Sequence, residues 1–290
     1  MVKNDNRTLS ENFITKLEEG KGQFKGILST LKSDQSLDME MRRGKIEVYY
    51  RGAFLFEMEE SGEFNFVNEI EKHRLSFIEL IKEGKRIIDT ENKVKPELEI
   101  SQLIVKENNR GNIAKTTDFF IIDREYKNTF DAQFDLIALH WDNDRHAHQH
   151  PQNVKLAIIE VKNGTGAANG DRGICDHQKD YTRFVKNADL DSFKKEMVEM
   201  FQQKYELGLI GGISKDTGKY VSKLQISGIE FYVLLANYSP RSFKKNLITE
   251  LNNLDQDTKF FFSSFMGYGL YSSCILEKKQ LTELMNSITE

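Results

Sequence analysis

FDAQFDLIALHW at residues 130–141 and KLAIIEVKNG at residues 155–164 are two apolar runs that carry charge where a buried strand should carry none. Asp135 sits inside the first, and Glu160 and Lys162 sit near the end of the second. Side chains two apart on a strand share a face. Glu160 and Lys162 therefore project one way, and Ala157, Ile159 and Val161 the other. Phe134, Leu136 and Ala138 share one face of the first strand, with Asp135 on the opposite one. An antiparallel hairpin of the two strands puts Asp135 opposite Glu160, so that two carboxylates converge with a lysine one step along. Ionised groups in an apolar strand are costly unless paired or coordinated, and neighbouring carboxylates repel unless a cation joins them.

That constellation points to a divalent metal. A small set of oxygen ligands favours Mg²⁺, which keeps several waters and takes substrate phosphate oxygens, with Mn²⁺ an expected substitute. Asp135, Glu160 and the carbonyl of Val161 are the expected ligands. The expected chemistry is phosphodiester hydrolysis, in which the metal polarises the phosphate and acidifies a bound water. Lys162 orients that water or stabilises charge in the transition state.

Working outward, residues 8–31 read as helix interrupted at Gly20 and Gly22. Residues 36–67 alternate with period two and are punctuated by Gly44, Gly52 and Gly62, which predicts an antiparallel meander. Its expected role is a structural platform. Residues 68–88 and 96–105 read as helices, the second opened by Pro96. Strands follow at 118–126, 133–141 and 154–161. A Gly-rich loop at 163–173 leads to helices at 174–187 and 190–207. A late strand at 230–236, a helix at 242–254, a pair of strands at 259–266 and 270–276, and a short helix at 278–288 complete the chain. The division expected is an N-terminal helix and β-meander over 1–95, built onto an α/β core over 96–290.

Composition bounds the remaining choices. The 290 residues, 39% of them hydrophobic, suffice for a sizeable core, and the 30% charged content fits a soluble protein. No apolar run is long enough to span a membrane, the polar start lacks a signal-peptide core, and two cysteines make no disulfide framework. A cytoplasmic address is the default. A net charge of −4 argues against bulk electrostatic binding to nucleic acid, though not against a local basic rim.

FDLIAL…AIIEVK resembles the core of the PD-(D/E)XK nuclease superfamily, in which an Asp on one strand and E-x-K on the next bind metal and catalyse hydrolysis. The resemblance spans roughly residues 96–187 and implies a restriction-endonuclease-like α/β fold: a mixed central sheet flanked by helices, here with an N-terminal antiparallel β extension. By position it makes Asp135, Glu160 and Lys162 the catalytic residues, with Phe134 where the family carries Pro. It also implies one more acid from the helix before the sheet. The E-x-x-Q wording at Glu99 and Gln102, followed by KENN, is similar to a set of uncharacterised bacterial members and favours Glu99. Helix geometry leaves Glu97 and Glu107 open, since Glu97 shares a more apolar face with Ile100 and Ile104. The same set carries D-H-x-x-D after a Gly-rich loop, matching Asp176, His177 and Asp180. His177 is expected at the rim of the site, contacting phosphate or ordering a water; its other reading is a helix-start histidine with no catalytic part. The implied activity is a Mg²⁺-dependent nuclease acting on nucleic acid, with DNA the expected substrate and a homodimer left open.

Other features carry less. His140, His146, His148 and His150 suggest zinc, but a solvated hairpin loop is the expected reading. Asp123 and Glu125 on the preceding strand read either as edge-strand charges or as groups just behind the site, with structure ranked above catalysis, and Trp141 as packing at a strand end. Lys155, Arg172, Lys179, Arg183 and Lys186 could form a phosphate-binding rim, or an ordinary salt-bridged surface with Asp171, Asp176 and Asp180. Two competing readings stand beside the nuclease: an inactive nuclease-fold protein used for binding or assembly, and a purely structural ion pair at Asp135, Glu160 and Lys162.

Overall fold

Among the described residues, ten strands form two sheets. A computed structural model describes residues 7–67, 75–128, 130, 132–164, 172–238 and 240–288. The larger sheet has six strands in the order β10-β9-β8-β7-β6-β5. β5 (Phe119–Lys127), β6 (Gln133–His140) and β7 (Val154–Asn163) are antiparallel neighbours. β8 (Ile226–Ala236) and β9 (Lys259–Ser263) run parallel to β7, and the short β10 (Leu276–Glu277) returns antiparallel. The change from antiparallel to parallel pairing falls at β7, the strand that carries Glu160 and Lys162. Burial on both faces explains why β6, β7 and β8 read as nearly unbroken apolar runs.

Each face of this sheet has its own core. On one, Leu136, Ala138, Ala157, Ile159, Tyr232 and Leu234 pack with Ile100, Ile104 and Val105 of helix α4 (Pro96–Asn109), and Val161 lies against the same cluster. On the other, Ile137, Leu139, Leu156 and Ile158 pack with Phe184 of α6 (Ile174–Asn187) and with Met197, Met200 and Phe201 of α7 (Leu190–Glu206). Burying each such side chain contributes about 1.5–3 kcal/mol.

The second sheet is the expected meander. β1 (Leu37–Arg42), β2 (Lys45–Tyr50), β3 (Ala53–Glu59) and β4 (Phe64–Phe66) pair in chain order, all antiparallel. Its residues Met39, Val48, Leu55 and Phe56 belong to the same continuous core as Phe120 and Met200. Helices α1 (Glu11–Glu19) and α2 (Ile27–Ser33) pack there too, separated by a turn at Gly20–Gly26 in which three glycines take positive φ. Gly52 marks the tightest join: its φ is +74°, and a Cβ there would come within 2.5 Å of Lys95 O at the start of α4. The β2–β3 turn therefore lies directly on α4.

The polar face of β1 is not a solvent face. Asp38, Glu40 and Arg42 meet Asp123 and Arg124 of β5 and Lys204 of α7 in a buried ionic junction. Arg42 Nη1 and Arg7 Nη1 each reach Asp123 at 2.5 Å, Lys204 Nζ lies 3.0 Å from Glu40, and Arg124 Nε lies 2.7 Å from Asp38. Asp123 is thus structural, as its edge-strand position predicted.

Several expectations need correction. The 68–88 helix is observed as α3 (Phe77–Thr90), with residues 68–74 outside the described ones. Residues 270–276 are not a strand: a 3₁₀ turn at Ser272–Cys274 intervenes, because Ser272 N donates to Asp118 Oδ2 at 2.7 Å and so leaves the ladder. The β6–β7 connection is not an open loop. Asp144 caps a short helix α5 (Arg145–Gln149), accepting from Ala147 N at 2.8 Å. A further helix, α8 (Lys215–Val221), had no reading in the sequence. Among the described residues no helix is long and apolar enough to cross a membrane.

Candidate active site

The β6–β7 register places the carboxylates. The ladder ends at Leu136 paired with Ile159, and Asp135 and Glu160 are the next residues on their strands. Ladder pairing gives way there to a side-chain contact, in which Val161 N–H donates to Asp135 Oδ2 at 2.8 Å. Val161 thus enters the site through its amide, where its carbonyl was expected. The Asp135 and Glu160 carboxyl groups lie close enough for each to act on the other. Phe134 departs from the predicted face: it pairs with Tyr126 of β5, and its ring packs on Phe184 at 5.3 Å.

Glu160 is 3% exposed and Lys162 6%. Lys162 Nζ lies 2.8 Å from Glu160 Oε1 and donates to Arg172 O at 3.0 Å. Arg172 adopts φ +65°, the left-handed region, just before α6. His177 stands in the first turn of α6, and its Nε2 lies 3.0 Å from the same Glu160 oxygen. One carboxylate oxygen thus collects a lysine and a histidine.

Burial pushes the Glu160 carboxyl well above its ordinary range, and the neighbouring charge of Asp135 adds to the shift; Lys162 opposes both. Burial also raises Asp135, against the hydrogen bond from Val161 N–H and the charge of Lys162. Both carboxyls therefore give up a proton less readily than free ones do. Burial lowers His177 to about 3, helped by Lys162 and Arg172. The imidazole is neutral at pH 7, with Nε2 the ring nitrogen that faces Glu160. Its Nδ1 is buried without a hydrogen-bond partner among the described residues.

The helix acid goes the other way from the expectation. Glu99 is pulled to Arg51, whose Nε donates to Glu99 Oε1 at 2.9 Å, and Arg51 also meets Asp89 at 3.0 Å. Gln102 of the same E-x-x-Q wording joins α4 to the meander, donating to Ser36 O at 2.7 Å and accepting from Gly52 N at 2.8 Å. Glu97 is the α4 acid whose charge is felt at Asp135. Residues two apart on a helix lie about 200° apart around it, so Glu97 and Glu99 cannot face one target. Glu125 of β5 also stands near Asp135. Burial raises its carboxyl and the Asp135 charge adds to this, while Gln133 Nε2 holds it at 2.6 Å. Its backbone is left-handed, with φ +54°, and no sequence signal distinguished it from the other charges of β5.

Of D-H-x-x-D only His177 reaches the site. Asp176 and Asp180 pair with Lys179 and Arg183 along the exposed side of α6. Tyr181 OH donates to Ile229 O at 3.1 Å, and Gln178 Nε2 donates to Thr258 Oγ1 at 2.6 Å, so both are anchors. The Gly-rich loop falls largely on residues 165–171, outside the described ones, and Asp171 with it. The basic rim is smaller than expected. Lys155 pairs with Glu230 at 2.7 Å, five residues and about 17 Å of strand from Glu160. Lys179 and Arg183 are taken by their own helix, and Arg172 remains beside the site.

The four histidines of 140–150 divide. His140 stacks on Phe119 at 4.2 Å, His148 is buried with Nδ1 3.1 Å from Thr217 Oγ1, and His146 and His150 stack on each other at 4.4 Å. Trp141 is 2% exposed and its Nε1–H donates to Ala147 O at 3.1 Å, a packing role. Among the described residues no group of three or more His, Cys, Asp or Glu side chains is poised to hold a metal ion. No protein-family model, curated protein or solved structure matches this chain.

Proposed function

We propose that the chain is a metal-dependent nuclease that hydrolyses phosphodiester bonds of nucleic acid, with DNA its substrate. The observation that carries this reading is the convergence of Asp135 and Glu160 on neighbouring strands with Lys162 fixed against Glu160. It is the arrangement expected from the resemblance to the PD-(D/E)XK superfamily, and the mixed six-stranded sheet accords with a restriction-endonuclease-like fold.

The donor chemistry fits a hard dication. Two neighbouring carboxyls that burial makes reluctant to ionise gain from a cation placed between them. Mg²⁺ or Mn²⁺ takes few protein ligands, so Asp135 and Glu160 suffice, completed by water and phosphate oxygens. Bound there, such an ion acidifies a water and polarises the phosphate. The chain's own groups do the rest. Lys162, held at a fixed point by Glu160 and Arg172 O, offers its amine to the phosphate oxygens as charge builds on them. His177 is neutral and therefore no proton donor in its imidazolium form. Its buried Nδ1 has acceptor capacity left for an ordered water, which it would orient. Glu97 and Glu125 add negative potential around Asp135, which favours cation capture.

The test is incubation with plasmid, linear and single-stranded DNA in Mg²⁺ or Mn²⁺. Cleavage is expected, and Asp135→Ala, Glu160→Ala and Lys162→Ala each reduce it by about 100-fold or more. Cleavage indifferent to all three substitutions, or to chelation, removes this reading.

A second reading has one observation in its favour: Lys162 and His177 already satisfy Glu160 Oε1. A self-satisfied cluster suits an inactive nuclease-fold module that binds nucleic acid. Calorimetric titration separates the two, because that module takes up no Mg²⁺ or Mn²⁺ at Asp135 and Glu160.

A further inference from the structure

β9 ends at Ser263 and the chain doubles back at once. Gly267 N donates to Ser264 O at 2.8 Å, and Met266 N donates to Ser264 Oγ at 3.2 Å. This tight turn holds out Phe265 at 80% exposure and Met266 at 96%, above every other large apolar side chain among the described residues. Turn tips favour Gly, Asn, Asp and Ser. A single exposed apolar residue is ordinary, but two large ones held side by side on a fixed turn offer a ready contact surface.

The turn stands at the same end of the sheet as the candidate site. Asn163, next after Lys162, pairs with Ala236, and Ala236 pairs with Ser263. Two strand spacings separate them, about 10 Å. A chain of contacts spans that gap. The Phe265 ring meets Tyr268 edge-on at 6.3 Å, Tyr268 OH donates to Asn237 Oδ1 at 3.2 Å, and Asn237 Nδ2 donates to Asn163 Oδ1 at 3.1 Å.

Resting on the nuclease reading, we infer that the Phe265–Met266 turn is a wedge that stacks on bases of the nucleic acid whose backbone lies at Asp135, Glu160 and Lys162. Glu160 is level with Val233 and Phe260, several residues before the turn, so the turn engages a base several nucleotides from the phosphate at the site. Bases are the fitting occupant because neither side chain carries charge, and the chain as a whole is acidic at −4. Contact at the tip must come from stacking, which every base can supply, or from an apolar wedge between base steps. A two-residue tip is far too small for a stable protein interface, which buries about 1,200 Å² or more.

The experiment uses the full chain and oligonucleotides, single-stranded and duplex, carrying 2-aminopurine at successive positions, in EDTA so that no cleavage intervenes. The native chain is expected to bind and to change 2-aminopurine fluorescence over a short window of positions. Phe265→Ser with Met266→Ser is expected to weaken binding about tenfold and to abolish the fluorescence change, and Phe265→Trp to retain both. Both side chains are exposed, so the substitutions leave the fold intact, which circular dichroism verifies. Unchanged affinity and fluorescence in the double variant overturn the wedge while leaving the nuclease reading standing. So does a double variant that changes sedimentation from dimer to monomer, which would make the turn a contact between copies. Stacking that persists in a chain unable to cleave DNA with Mg²⁺ or Mn²⁺ supports the wedge and removes the nuclease reading. A native chain that binds no oligonucleotide overturns the wedge, and cleavage is then scored separately.

Discussion

At the scale of single residues, Glu160 concentrates the conflict between stability and function. It is buried at 3% exposure, raised by that burial and by Asp135, and held by Lys162 and His177 through one oxygen. Its folded pKa lies above its unfolded one, so its contribution to stability is complete below the unfolded value and is lost as pH rises through the folded value. Glu160→Gln keeps the shape and removes the ionisation. We expect the variant to be more stable than the native chain at pH 8 by about 1–2 kcal/mol, a rise of about 2–3 °C in Tm for a chain of this size, with cleavage lost. Thermal unfolding at pH 8 and pH 5 checks this, and a lower Tm at pH 8 would show that the ionised carboxylate stabilises the fold through Lys162. Divalent binding carries the same sign: displacing a proton from these carboxyls makes Mn²⁺ affinity rise with pH by up to tenfold per unit.

At the scale of elements, α4 shows what a sequence conveys and what it does not. Period-two alternation and strand order brought Asp135 beside Glu160 across one hairpin, because strand geometry is local and repeats every two residues. His177 was expected at the rim only through the resemblance of D-H-x-x-D, and its Nε2 does lie 3.0 Å from Glu160 Oε1. The choice between Glu97 and Glu99 did not follow, since it depends on Arg51, which arrives from the β2–β3 turn 48 residues earlier in the chain. Glu125 was hidden for a similar reason: its left-handed backbone re-aims a side chain that alternation alone assigns blindly. The two glutamates of α4 now separate by experiment. Glu97→Gln is expected to weaken Mn²⁺ binding several-fold, read by calorimetry or electron paramagnetic resonance, with little change in stability. Glu99→Gln is expected to leave Mn²⁺ binding unaltered and to cost under about 1 kcal/mol, as partly exposed ion pairs do. The opposite pattern would return Glu99 to the site.

At the scale of the whole molecule, the N-terminal sheet is fastened to the six-stranded sheet by charge as well as by apolar packing. The alternation of β1 showed an apolar face, and its other face was left without a partner. That partner is the junction of Arg7, Arg42, Asp123, Arg124 and Lys204, whose members come from four distant parts of the chain. Within it Glu40 and Asp123 behave oppositely. Asp123, held by Arg42 and Arg7, falls below its ordinary range despite burial, so its stabilising effect is lost only as pH drops through that lowered value. Burial drives Glu40 up to about 7 even though Lys204 and Arg42 pull it down. Its contribution is therefore full below about 4.5, declines as pH rises, and is gone above about 7. The decline is on the order of 3 kcal/mol. Glu40→Gln reproduces the protonated carboxyl and still accepts from Lys204. Its stability relative to the native chain should improve steadily between pH 5 and pH 8, measured by urea unfolding at each pH with unchanged m-value. A gap that stays constant across that range, or that widens in favour of the native chain, would mean that Glu40 is ionised throughout and that Lys204 outweighs its burial.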